Sequence, residues 1–302
     1  MTPSDTPRLG FVGPGTAGTA LARCLASVGY RVVAIFGRNT ECASRVAGDI
    51  AGAHAAASAQ HVVDAADVVF LTVPDDAIQS VAERLAWAPG KSAVHCSGAT
   101  SLDVLEHARA EGADVGAFHP LQTFANPGQA ERNLPGSAFA IEASAPALAR
   151  SLAAMATALG GKPLVLRGDK ALYHASAVIA CNYLVTLLDA AAGLWAHLGL
   201  TKEEGLRALL PLVRGTIENL EAVGLPDALT GPVARGDVGT IERNLKALAE
   251  FSPEQVDLYT ELARRTIPIA RAKGTLTESD AKRLLEYLKA AAKRPLDVQE
   301  TR

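Results

Sequence analysis

The sequence lacks several features that would settle its class at once. Its four cysteines, Cys24, Cys42, Cys96 and Cys181, stand far apart. No CxxC or other ligand spacing joins them, so they read as reduced thiols and no metal site is expected. Charge of one sign is not in excess: the formal net charge is -3. Neither nucleic acid nor an acidic lipid surface is therefore an expected partner. The opening residues, MTPSDTPR, lack the basic segment and apolar core of a secretory leader, so a cytoplasmic chain is expected. Internal repeats and low-complexity linkers are missing too. Long uncharged runs are scarce. Only Ala171 to Leu188 reaches about the minimum length of a membrane span. His174 and Asn182 interrupt it and Asp189 follows at once. Such groups are costly in lipid, so the expectation is a helix buried on every side and no membrane.

What the chain does have is length and an apolar core. With 302 residues, 49% of them hydrophobic, it suits one large or two medium globular domains. The first half alternates β-branched or apolar runs with alanine-rich helical stretches. The strand candidates are 8–13, 31–36, 67–73, 92–96 and 114–118, with 137–142 and 163–167 flanking a helix at about 147–159. Near-continuous apolar strands separated by helices indicate a parallel sheet covered on both faces. After Gly168 no strand pattern recurs, and helical periods cover about 170–198, 202–223, 240–250, 253–273 and 277–292. Thr277 with Asp280 resembles a capping pair for the last of these. The expected architecture is α/β. A doubly wound parallel sheet of the Rossmann type over 1–167 precedes an all-α domain over 168–302.

The segment GFVGPGTAG places Gly13, Gly15 and Gly18 directly after a strand and at the start of a helix. Gly13 permits the tight turn, Gly15 lets the backbone approach a pyrophosphate, and Gly18 allows close helix–strand packing. The free amides at the helix start, at Thr16 and Ala17, then face the phosphate. The strand before it, the helix after it and a second strand ending some twenty residues on make this spacing specific. At the end of that second strand an acid would accept hydrogen bonds from a ribose 2′-hydroxyl. Here the residues are Gly37, Arg38, Asn39 and Thr40. A guanidinium suits a phosphate monoester, so the expected cofactor is NADP(H), with Arg38 and Asn39 at the 2′-phosphate. In LTVPDDAI, Val73 and Pro74 close another strand at the cofactor crevice. Asp75 and Asp76 read as acids favoured at a helix start.

Hydride transfer needs a proton donor and an orienting group beside the nicotinamide. Ser97 and His119 follow successive strands and can converge on one ligand, with His119 the candidate acid/base. His95, inward in its strand, reads as structural. Lys170 and His174 share a helix face at i and i+4, and Asn182 lies two turns further on. Polar groups on an otherwise apolar helix are costly unless satisfied, so all three are candidates to line a cleft. The glycine-rich segment LTGPVARGD offers Thr230 and Arg235 as a holder for a substrate carboxylate.

Taken together, GFVGPGTAG, LTVPDDAI, HCSGA, GAFHPLQTF, YHASAVIACN and LTGPVARGD resemble bacterial Rossmann-like proteins. These are described as short-subunit dehydrogenase-like oxidoreductases with a C-terminal helical domain of unknown function. The resemblance runs from about Leu9 to Leu288. The wider relatives are the 6-phosphogluconate dehydrogenase-like superfamily, including pyrroline-5-carboxylate reductase, prephenate dehydrogenase and deazaflavin-dependent NADP oxidoreductases. The resemblance implies an NADP-binding N-terminal domain and a helical domain used for homodimerisation. His119-Pro120 after Ser97 looks like the Ser/His pair of prephenate dehydrogenases, although Leu-Gln-Thr-Phe follows. Hydroxyacid and ketopantoate reductases carry lysine and asparagine four apart at the start of the second domain. Here His174 stands four after Lys170, and Asn182 comes later. The expected function is an NADP(H)-dependent oxidoreductase of a small polar carbonyl, imine or hydroxy acid, of the ketopantoate reductase kind. The alternative is a non-catalytic NADP-binding sensor or regulatory protein.

Overall fold

The computed structural model describes residues 6–166 and 168–292. Arg167, at which the sequence reading closes its first domain, lies outside the described residues, as do 1–5 and 293–302. By internal packing the chain forms two units, Met1–Cys181 and Asn182–Arg302.

The first unit alternates strand and helix: β1 (Arg8–Val12), α1 (Thr16–Ser27), β2 (Arg31–Phe36), α2 (Thr40–Gly48), β3 (His54–Ala55), α3 (Ala59–Ala65), β4 (Val68–Leu71), α4 (Ile78–Ala82), β5 (Ser92–His95), α5 (Glu106–Ala110), β6 (Asp114–Pro120), α6 (Pro127–Asn133), β7 (Ala138–Ala143), α7 (Pro146–Ala158), β8 (Lys162–Val165) and α8 (Lys170–Ala180). The eight strands form one sheet in the order β3-β2-β1-β4-β5-β6-β7-β8. β3, two residues long, has no pattern of its own in the sequence and is held by pairing with β2. All pairs are parallel except β6 with β7. The expected parallel sheet is therefore present, with that antiparallel pair as a local departure. The pair also lengthens β6: the ladder with β7 continues through His119↔Ala140 and Pro120↔Phe139, so His119 is the strand's own end and not part of a following loop.

Both faces of the strands between the edges are buried, which is why those strands read as unbroken apolar runs. On one face the rings of Phe11, Phe70, Phe118 and Phe139 follow one another across four strands, with centroids 5.0, 5.9 and 4.9 Å apart. Leu21, Leu25, Leu152 and Met155 from α1 and α7 join the same core. The opposite face buries Val69, Leu71, Ala93 and Val115 with Val62, Ile78, Leu105 and Trp87. Because strand side chains alternate in period two, the register Leu71↔His95↔Ala117↔Glu142 sets one row of residues on this second face. His119 stands two positions beyond Ala117, so it points the same way. A row that begins as core thus turns polar at β5, β6 and β7.

The second unit consists of α9 (Asn182–Gly193), α10 (Lys202–Val223), α11 (Val238–Phe251), α12 (Val256–Lys273) and α13 (Glu278–Ala292). Thr201 and Glu204 close a reciprocal capping box on α10. The Asp280 amide donates to Thr277 Oγ1 at the start of α13, the capping pair read from the sequence. Val233, Ile241, Leu245, Ile267 and Leu284 form the unit's core.

The expected single helix over 170–198 is instead α8, a break at Cys181, α9 and a 3-10 turn at Leu194–Leu198. It is not buried on every side. Leu172, Ile179 and Val185 are 73%, 64% and 67% exposed, with no second layer over them among the described residues. By length and composition Lys170–Leu198 is apolar enough to cross a membrane, and one such stretch is weak evidence for a span. Its first residue, Lys170, is instead buried in an ion pair with Glu142 of the sheet.

Candidate active site

The loop after β1 begins with Gly13 at φ +103, a left-handed conformation that glycine alone adopts without cost. A side chain there would also strike Thr72 and Val73. At Gly18 an added Cβ would come within 2.4 Å of Gly13 O and Thr72 Oγ1, so α1 packs directly on the loop and on the end of β4. At Gly15 the space is open to 4 Å. Two glycines therefore serve close packing, and the third leaves room for a ligand. Thr72, which the sequence reading did not single out, braces the turn by donating to Gly13 O at 2.7 Å. Gly15 caps α1 without a side-chain bond, and no acid occupies the helix's first turn. The amides from Thr16 and Ala17 onward are thus left for an anion, as at any helix N-terminus.

The cleft that opens here, about 1120 Å³, is lined by Gly13, Gly15, Arg38, Asn39, Val73 and Pro74 among others. Arg38 is exposed at the end of β2. Asn39 also caps α2, its Oδ1 accepting from the Cys42 amide at 2.9 Å, which leaves only its NH₂ for a ligand. A phosphate-sized opening at the start of α1, bare amides and an arginine at the end of β2 fit a phosphorylated dinucleotide.

From Pro74 the chain passes straight to Asp75, and the reactive side chains begin. Ser97 Oγ donates to Asp75 Oδ2 at 2.6 Å, lies 2.8 Å from Thr100 Oγ1, and accepts from the amides of Ala99 and Thr100 at 3.2 and 3.0 Å. This hub shapes the turn after β5. Its next residue, Gly98, lies so close to two imidazoles that a Cβ would meet His119 Nε2 at 2.8 Å and His174 Cδ2 at 2.9 Å. Ser97 and His119 therefore reach one corner without bonding to each other. Asp75 does open a short 3-10 turn, Asp75–Ala77, as a helix-start acid would. It is also the acceptor that locks Ser97, a role invisible until β4 and β5 are neighbours.

His119 Nδ1 lies 2.9 Å from the Tyr173 hydroxyl, with the rings edge to face. Burial, helped by the charge of Lys170, lowers His119 to about 4, and burial raises Tyr173 to about 12. At neutral pH the phenol keeps its proton and the imidazole is uncharged; donation from the phenol to Nδ1 would leave the imidazole proton on Nε2, the edge facing Gly98. Lys170, buried, reaches Glu142 Oε2 at 3.2 Å. Burial lowers its pKa, and Glu142 opposes that shift. His95 is fully buried beside this group and held at about 3 by burial and by Lys170. Its Nδ1 accepts from the Ser97 amide at 3.2 Å.

Lys170, Tyr173 and His174 thus project from α8 toward the ends of β5, β6 and β7. Tyr173 was not among the sequence candidates, although its place three residues after Lys170 is the available signal. Asn182 opens α9 in the second unit, exposed. Thr230 and Arg235 are exposed on a turn of the second unit. Val233 and Ala234 bury that turn, and Asp237 caps α11 by accepting from the Thr240 amide.

Comparison with known proteins assigns the two halves separately. Residues 8–97 match the family described as NADP oxidoreductase, coenzyme F420-dependent. Residues 137–266 match a domain of unknown function, DUF2520. Asp75 and Ser97 fall in the first match; Glu142, Lys170, Tyr173 and His174 fall in the second; His119 lies between them. No curated protein matches the sequence. Among solved structures, a candidate NADP oxidoreductase from Bacteroides fragilis is 26% identical, with 87% of this chain and 98% of that one covered and a TM-score of 0.69. A pyrroline-5-carboxylate reductase from Streptococcus pyogenes is 17% identical over 88% of this chain and 99% of that one, at a TM-score of 0.62. A reductive aminase from Aspergillus terreus, solved with NADPH and ethyl-5-oxohexanoate, is 18% identical over 95% and 94%, at 0.57. The last two likenesses concern the fold. The chain is thus similar to the NADP oxidoreductase family over residues 8–97 and to DUF2520 over residues 137–266.

Proposed function

We propose that this chain is an NADP(H)-dependent oxidoreductase that moves hydride to or from a small polar carbonyl, imine or hydroxy acid, as ketopantoate reductase does. One observation carries the reading: the wall of the nucleotide cleft, at Pro74, leads directly into a corner where His119 and His174 face Gly98 beside the Asp75–Ser97 pair, with the Lys170 charge acting on His119. NADP(H), when bound, supplies or takes the hydride. The chain's own residues do the rest. His119 presents Nε2–H to the substrate oxygen or nitrogen, and Tyr173 fixes that tautomer and the ring's direction. The buried Lys170 ammonium stabilises negative charge that develops on the substrate. His174 flanks the same position. Asp75 and Ser97 hold the turn that sets the distance to both rings.

The second unit, in this reading, serves a cytoplasmic homodimer. Val185, Leu198, Leu212 and Val223 are exposed on its helices, 56–71% each. An apolar surface of that kind is usually covered by a partner. Within that unit the exposed Thr230 and Arg235 offer a hydroxyl and a guanidinium to a carboxylate, and Asn182 at the start of α9 offers an amide. NADPH oxidation followed against 2-oxo acids, ketopantoate, cyclic imines and ketone–amine mixtures tests the activity. The expected result is turnover with at least one class, abolished in His119→Asn. NADPH binding without turnover on any class would overturn the catalytic reading. Light scattering of the same protein tests the dimer.

A further inference from the structure

The dinucleotide cleft contains a second arginine that the glycine loop and the end of β2 leave unexplained. Arg84 follows α4, with its amide donating to Val81 O at 3.2 Å. Its side chain lines the cleft beside Ser80, Val81 and Leu85, and Arg38 lines the same cleft from the other side. The order β2-β1-β4 explains the placement: the elements that follow β2 and β4 flank the phosphate loop that follows β1. Arg8 pairs with Asp67, Arg23 with Asp49 and Glu131, and Arg109 with Glu106. Arg38 and Arg84 have no side-chain partner among the described residues, and no carboxylate lines their cleft.

Two unneutralised guanidiniums in one acid-free cleft call for an anion of about two charges. A phosphate monoester carries roughly −1.5 to −2 near neutral pH. The pyrophosphate is already provided for by the glycine loop and the amides at the start of α1. We propose that Arg84 closes on the 2′-phosphate of NADP(H) from the α4 side, opposite Arg38, and is a specificity-determining residue of the cofactor site. Val81 and Leu85 on the same wall offer the adenine an apolar surface. A single exposed arginine discriminates weakly because water screens it. Two that approach one phosphate from opposite sides form charge-assisted bonds in a confined cleft and discriminate strongly. The inference rests on the NADP reading of the cleft.

Direct binding tests it without any turnover. Calorimetry on the purified protein gives Kd for NADPH, NADH, adenosine 2′,5′-bisphosphate and 5′-AMP, for the parent, Arg84→Ala, Arg84→Lys and Arg38→Ala/Arg84→Ala. Arg84→Ala should weaken NADPH and the bisphosphate about 10- to 100-fold and leave NADH and 5′-AMP within about threefold. Arg84→Lys should recover part of the loss, and the double variant should bind both dinucleotides equally. Circular dichroism confirms that the variants fold, since Arg84 has no internal partner to lose. Equal losses for NADPH and NADH would mean that Arg84 meets the adenine or the shared phosphates, and unchanged NADPH binding that it meets nothing; either overturns the proposal while NADP binding stands. A parent protein that binds NADH as tightly as NADPH would instead remove the NADP reading itself, and this inference with it.

Discussion

The nucleotide cleft and the corner beyond Pro74 are neighbours built on opposite principles. The cleft is made of backbone: glycines without side chains, bare amides at a helix start, and cations at its rim with no acid in its lining. The corner is made of side chains. Asp75, Ser97, His119, Glu142, Lys170, Tyr173 and His174 come from four strand ends and a helix. One surface supplies a fixed positive potential to a ligand that always carries the same charges. The other holds groups of both signs, with burial keeping His119 neutral, as proton handling requires. Cofactor binding should therefore survive damage to the corner, and chemistry should depend on it.

The sharpest break of that comparison is His119→Asn. Turnover should fall by about 10²–10⁴ while the Kd of NADPH stays within about twofold of the parent. Parent-like turnover would assign the chemistry to Lys170 or His174. Arg38→Ala should do the reverse. NADPH affinity should drop by about 1.5–3 kcal/mol, NADH affinity should barely change, and kcat at saturating NADPH should be retained. A loss in kcat as large as the loss in affinity would show that the two regions are not separable in this way.

Two glycine substitutions place the same added methyl in each region. Gly18→Ala puts a Cβ against backbone and Thr72 at 2.4 Å, where nothing flexible can give way. It should cost about 1–3 kcal/mol of stability together with NADPH affinity. Gly98→Ala meets the rings of His119 and His174 at 2.7–2.9 Å, and rings can rotate. Stability and NADPH binding should hold, and kcat should fall about tenfold or more as Nε2 is pushed out of line. Calorimetry and initial rates on the two variants decide this, and an unimpaired kcat in Gly98→Ala would separate that contact from catalysis.

The cleft is legible in sequence because its parts are local. Gly13, Gly15 and Gly18 fall within six consecutive residues, and Arg38 follows at the distance one βαβ unit sets. Thr72 and Arg84 escape because the order β2-β1-β4 brings them there, and strand order is not written in any local pattern. The corner is half legible. His119, Lys170 and His174 stand out as polar residues at a strand end or on an apolar helix, and the fold brings these three together. Glu142 and Tyr173 looked ordinary, one a polar residue in a strand and the other an aromatic on a helix. Asp75 had a sufficient explanation as a helix-start acid. The exposure of α8 and α9 was misread for a related reason: an apolar helix face in a sequence does not say which chain will cover it.

The last expected effect concerns stability against pH, and it tests whether burial holds His95 and His119 neutral. His95 and His119 have folded-state values of about 3 and about 4, against 6.5 when unfolded. Between those values the unfolded chain binds more protons than the folded one. The stability linked to each histidine is therefore complete above pH 6.5 and is lost as pH falls toward the folded value. At pH 5.5 the loss is about 1.4 kcal/mol for each group, since a unit of pKa is worth about 1.36 kcal/mol. Denaturant melts of the parent at pH 7.5 and 5.5 should differ by roughly 3 kcal/mol on this account. In His119→Asn about half of that difference should disappear, whatever the variant's stability at pH 7.5. An unchanged pH slope in the variant would mean that His119 titrates normally, and that it reaches the substrate as an ordinary solvated imidazole instead of a neutral one fixed by Tyr173.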